Sequence, residues 1–93
     1  MQANSVNLLE EFRKWLSSEK NYSSRSIGDV VSRLKRVSRM LDIEVVMVDL
    51  DCLDRLKLRD DFRSLTYSAR SQLYASVRHF SNFKNSALIN KKK

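Results

Sequence analysis

The chain has 93 residues, 42% of them hydrophobic and 31% charged, with a formal net charge of +7 and one histidine. This length makes one domain with a modest core, too small for a core plus a deep catalytic cleft, and the composition is globular rather than disordered. The absence of proline and the presence of one glycine, Gly28, argue for helices and against a turn-rich β-sandwich.

The charge is unevenly spread. Residues 63–93 hold seven basic residues and no acidic one, whereas five aspartates fall between Asp49 and Asp61. A one-sided basic surface points to a polyanionic partner, nucleic acid before membrane. Lys91, Lys92 and Lys93 read equally well as a frayed tail, so the domain is expected over 1–90, with 91–93 the start of a linker or a disordered basic tail. The single cysteine, Cys52, cannot form an intramolecular disulfide, which fits a reducing compartment, and its position between Leu50 and Leu53 makes it a small core residue. There is no apolar run of about 18 residues and no signal-peptide pattern. A soluble, cytoplasmic protein with no membrane partner is expected.

Four helices follow from periodicity and caps. The first spans about 5–18, with Leu8, Leu9, Phe12, Trp15 and Leu16 along one stripe and Asn4 or Ser5 as cap. The second spans about 24–41, capped by Ser23 or Ser24, with Ile27, Val30, Val31, Leu34, Val37 and Leu41 inward. Gly28, in its first turns, costs about 1 kcal/mol relative to alanine, and close approach of another backbone would account for it. The β-branched run 43–48 has no partner strand and reads as an extended, buried connector. Asp49 or Asp51 then caps a short third helix over about 50–62, with Leu53, Leu56 and Phe62 inward. The fourth begins near Ser68, after a turn at Thr66 and Tyr67, and runs to about 86–89 with Ala69, Leu73, Val77, Phe80 and Phe83 on one side. The expected fold is all-α, a four-helix orthogonal bundle.

The sequence offers little for catalysis. His79 lies in an acid-free segment with no neighbouring carboxylate to orient it, and reads as a partly exposed helical histidine. No His–Cys–carboxylate cluster suits a metal, and one glycine cannot build a phosphate loop. Asp49, Asp51 and Asp54 lack the glycine and terminal glutamate of a calcium loop. No catalytic residue, metal, cofactor or small-molecule ligand is expected.

The binding residues lie on outer helix faces. With about 100° per residue and Leu34 set at the core, Arg25, Ser32, Arg36 and Arg39 fall within about 40° of the opposite direction. Arg33 and Lys35 flank them, and Asp29 alone interrupts the row. An ordinary solvated face mixes signs through i,i+4 pairs, and here the acid is mostly missing. On the fourth helix Ser71, Tyr74, Arg78 and Asn82 cluster away from the apolar stripe, with Arg70 and Lys84 at its edge. Arginine and lysine neutralise phosphates, and the hydroxyls and amide reach phosphate oxygens or base edges. Ser24, Arg25 and Ser26, like Arg70, open a helix, where the dipole favours a phosphate.

These residues resemble a family. Phe12-Arg-Lys-Trp15-Leu16, the loop ending Asn21-Tyr-Ser-Ser24, and Ser26-Ile27 opening a long helix look like the N-terminal core-binding domain of tyrosine recombinases, the phage-integrase family. The 48–53 segment is similar to their approach to a short third helix, and Ser68-Ala-Arg70 through Leu73, Val77-Arg78, Phe80 and Phe83 to their last helix. The likeness spans about 8–85, with serine at Ser26 and Arg70 near a position where threonine is common, and Val30-Val31 in place of a frequent aromatic. It implies a SAM-like fold that clamps double-stranded DNA at a recombination site in integration or strand exchange, opposite a catalytic domain absent from this chain. The contacts it implies are Ser24, Arg25, Ser26, the outer face of helix two, Arg70, Ser71, Tyr74 and Arg78. Self-association within a recombinase tetramer on DNA is a further implication. The alternative expectation is a helical protein-interaction module, the acidic third helix meeting the basic fourth of a neighbouring copy.

Overall fold

The structure is a computed structural model that describes the backbone of residues 2–92 and the side chains of residues 7–86. Its elements are α1 (Gln2–Glu19), α2 (Ser24–Leu41), α3 (Cys52–Lys57), α4 (Asp60–Arg63) and α5 (Tyr67–Lys92), with a 3-10 turn at Val45–Met47 and no strand among the described residues.

The central element is α2. Its six expected inward residues, Ile27, Val30, Val31, Leu34, Val37 and Leu41, are all buried, and α1, α3 and α5 pack against it. Phe12 and Leu16 come from α1, Leu56 and Phe62 from α3 and α4, and Leu73, Val77, Phe80 and Phe83 from α5. Each such side chain, fully buried, contributes about 1.5–3 kcal/mol. The Phe12 ring sits 5.0 Å from Phe80 and 5.3 Å from Phe83, so an aromatic cluster joins α1 to α5. Cys52 is buried in this core, and no described helix is long and apolar enough to cross a membrane.

Two turns use left-handed residues in place of glycine. Asn21 (φ 59°) follows α1, and the next residue, Tyr22, donates its N–H to the Leu16 carbonyl at 3.2 Å. Asp42 (φ 55°) ends α2, and Ile43 N–H returns to the Ser38 carbonyl at 3.1 Å. Asparagine and aspartate tolerate this conformation because their short polar side chains bond locally.

The structure corrects several expectations. α1 begins at Gln2, so Asn4 and Ser5 lie inside it rather than capping it; their side chains are outside the described residues. The 43–48 connector is partly wound, extended only around the Val45–Met47 turn, with Val48 fully buried and Met47 exposed. The third helix is two helices, so the described residues form five α-helices where four were expected. Arg59 is extended between them (φ −88°, ψ 131°), and Asp61 Oδ1 accepts from Arg59 Nε at 3.1 Å and from the Phe62 N–H at 3.0 Å. The extended Arg59 ends the helical run, and the Asp61 bonds satisfy a first-turn N–H of α4 that has no partner within the helix. Asp51 occupies the α3 cap position without a side-chain bond; Asp49 Oδ1 instead takes the Asp51 N–H at 3.0 Å. At Gly28 an added Cβ would meet nothing within 4 Å, so no close backbone approach requires it. In α5, Tyr67 is the first helical residue, and Thr66 Oγ1 accepts from the Ala69 N–H at 3.1 Å. Lys93, the end of the expected basic tail, and the side chains of 87–92 lie outside the described residues.

Candidate nucleic-acid interface

The N-terminus of α2 is fixed by Ser23, whose side chain accepts from the Ser26 N–H at 3.2 Å and whose hydroxyl donates to Ser26 Oγ at 3.3 Å. This cap orients Ser24, Arg25 and Ser26, all exposed. One to four turns on, Ser32, Lys35, Arg36 and Arg39 are also exposed, and Arg33 is half-buried. The expected outward row on α2 is therefore placed as its periodicity requires.

Charge pairing within the fold sharpens that row. The ion pairs among the described residues are Lys57–Asp54 at 3.9 Å, Arg59–Asp61 at 3.1 Å and Arg63–Asp60 at 3.9 Å. All three lie in the α3–α4 region. Hydrogen bonding and the neighbouring opposite charge hold the Asp61 carboxyl below, and the Arg59 guanidinium above, their ordinary values. Over residues 49–63 the five aspartates meet four basic residues, Arg55, Lys57, Arg59 and Arg63, which leaves a net charge of −1. The aspartate-rich segment is thus nearly neutral as a whole, and no basic residue of α2 or α5 takes part in an ion pair among the described residues.

On α5 the expected residues divide. Arg78 is exposed, with its guanidinium carbon 6.0 Å from the Tyr74 ring centroid, the outer limit of a cation–π contact. Tyr74 is half-buried against Phe62, centroids 5.4 Å apart, and supports Arg78 from below. Ser71 is half-buried and Asn82 exposed on the same outer side. Arg70 is half-buried, its Nε enclosed with no partner among the described residues. Lys84 is engaged elsewhere: Nζ donates to the carbonyls of Val46 at 3.2 Å and Val48 at 2.7 Å and lies 4.6 Å from the Phe80 centroid. Burial lowers its pKa, with Asp49 opposing. In this arrangement the Lys84 ammonium ties the connector to α5 rather than facing outward.

Between α2 and α5 runs a groove of about 260 Å³, lined by Ser26, Asp29 and Arg33 on one wall, Gln72 and His79 on the other, and Tyr22 at one end. Tyr22 and His79 are joined by a 3.1 Å bond between the phenol oxygen and Nε2, with their rings edge-on at 5.6 Å. Burial, then the nearby Lys20 charge, lowers the His79 pKa, which favours the neutral ring. The groove floor includes Ser76, 1% exposed, whose hydroxyl has no partner among the described residues. Sequence reading missed this groove. Its signal was present: Gln72, Ala75, Ser76 and His79 stand at i, i+3, i+4 and i+7 and form a second stripe on α5.

No group of His, Cys, Asp and Glu among the described residues is arranged to hold a metal ion. Against protein-family models, curated proteins and solved structures, the chain finds no match.

Proposed function

We propose that this chain is a DNA-binding module acting as the core-binding domain of a site-specific tyrosine recombinase, with its helices in the SAM-like orthogonal arrangement. It grips double-stranded DNA in integration or strand exchange while a separate catalytic domain cuts and rejoins the strands. The carrying observation is the pattern of pairing: Arg25, Arg36, Arg39 and Arg78 are exposed and without ion pairs among the described residues, while Asp54, Asp60 and Asp61 pair locally with Lys57, Arg63 and Arg59. Unpaired guanidiniums on rigid helices suit phosphate neutralisation, which supplies most non-specific DNA affinity. The ordered likeness to the core-binding pattern over about 8–85 supports the recombinase assignment. Ser24, Ser26, Ser32 and Ser71 add hydroxyls beside the cations, Tyr74 supports Arg78, and Arg33 borders the α2–α5 groove. Arg70 and Lys84 contribute less, since one is half-buried and the other holds the connector.

Arg36→Glu combined with Arg78→Glu tests this: the double variant, with unchanged helical circular dichroism, loses binding to duplex DNA. Retained binding by the folded variant removes the surface from the account. A second reading, self-association, rests on Leu58, 80% exposed at the α3–α4 corner. Growth of the sedimentation coefficient with concentration in the absence of DNA, abolished by Leu58→Glu, favours it.

A further inference from the structure

We infer that the α2–α5 groove reads base edges, with Asp29 and Gln72 as specificity-determining residues. This rests on the DNA-binding reading above. The groove differs in chemistry from the faces beside it. Those faces present cations, whereas the groove sets a carboxylate, an amide and a guanidinium side by side in Asp29, Gln72 and Arg33.

Asp29 is the informative residue. It is exposed and stands one turn from both Arg25 and Arg33, spacings that ordinarily pair on a helix. Yet neither arginine lies within ion-pair distance of it. On a surface that only neutralised phosphates, a free carboxylate would repel the ligand. It serves recognition where it meets a hydrogen-bond donor, and the donor DNA offers in the major groove to a carboxylate is the cytosine N4 amine. Adenine N6 suits it less, because the N7 acceptor beside it repels a carboxylate. The guanidinium of Arg33 matches guanine O6 and N7, and the Gln72 amide matches adenine N6 and N7.

The spacing agrees with this. Asp29 and Arg33 are about 6 Å apart along the helix axis, close to two base-pair steps at about 3.4 Å each. The Asp29 wall thus prefers a cytosine, with a guanine two steps away for Arg33. Ser26, Asp29, Arg33, Gln72 and His79 line the strip with Val30 and Ala75 among them, and the Ser76 hydroxyl beneath is available to an ordered water.

The experiment is selection from a pool of duplexes with a randomised core, using the 93-residue chain and its Asp29→Ala and Asp29→Asn variants, followed by titration of the enriched and scrambled duplexes. The wild-type chain enriches a cytosine-containing core and prefers it to the scrambled duplex by about tenfold. Asp29→Ala binds scrambled DNA more tightly, having lost a repelling charge, and loses most of the preference. Asp29→Asn moves the preferred base at that position from cytosine to adenine. Base reading by Asp29 is overturned if Asp29→Ala strengthens all duplexes by one common factor, or if the wild type binds but enriches no sequence. No binding to any duplex at low salt overturns the DNA-binding reading itself, and this inference with it.

Discussion

On the proposed DNA-binding function, removing two arginines changes how affinity for DNA depends on salt. Five exposed cations, Arg25, Lys35, Arg36, Arg39 and Arg78, stand on the outer faces of α2 and α5 without ion pairs among the described residues. If each neutralises one phosphate, the slope of log K against log salt is about −4.5, at about −0.9 per phosphate. Raising salt from about 50 to 200 mM then weakens binding roughly 500-fold. Arg36→Ala with Arg78→Ala leaves three such cations, a slope of about −2.7 and a loss of roughly 40-fold over the same range. Both side chains are exposed, so the double variant keeps its fold, which circular dichroism checks. Fluorescence anisotropy with a labelled duplex of about 20 base pairs, repeated across the salt series, reads both slopes. A wild-type slope shallower than about −1.5, or one slope shared by both proteins, refutes the phosphate-neutralisation account.

Two further predictions concern residues the fold uses in unforeseen ways. His79 has a folded-state pKa lowered below its ordinary value by burial and by Lys20. The unfolded chain therefore binds the proton more readily, so stability is full above about pH 6.5 and falls as pH drops through the window down to the folded pKa. Urea midpoints measured from pH 7.5 to 5 should fall for the wild type and change less for His79→Gln; equal slopes would remove His79 as the cause. Lys84→Met keeps the aliphatic stem but leaves the Val46 and Val48 carbonyls without their ammonium donor. It should cost about 1 kcal/mol in urea unfolding, since the group is partly solvated, with DNA affinity nearly unchanged. Full stability with weakened DNA binding would instead return Lys84 to the interface.

Much of the α2 face was legible in the sequence, and much of the α5 face was not. Along α2 the six core residues and the arginines obey one helical period, so burying one set turned the other outward whatever the neighbouring elements did. On α5 the same argument separated Leu73 and Phe80 from Arg78, but long side chains at the edge of the stripe have a choice of partners that angle alone does not decide. Lys84 found two carbonyls because the 45–47 turn passes within its reach, a contact some 36 residues away in sequence. The third helix is not one element because Arg59 is extended between Lys57 and Asp60, yet Leu53, Leu56 and Phe62 still face the core, so the apolar period alone did not show the break. The four aspartates of the expected helix over 50–62 are largely offset by Arg55, Lys57 and Arg59 interleaved among them, a feature that counting acids alone conceals. The Gln72–His79 stripe marks the α5 wall of the groove in sequence, but that α2 closes the other side is a pairing no single-helix pattern contains.

On the proposed function, DNA meets the outer faces of α2 and α5. The most direct test is titration of duplex DNA into the isotopically labelled chain at low salt, followed by amide and arginine side-chain chemical shifts. The account predicts perturbations at Arg25, Arg33, Arg36, Arg39, Ser71 and Arg78, with α3 and α4 unmoved. Shifts confined to Cys52–Lys57 and Asp60–Arg63, or none at all, would contradict it.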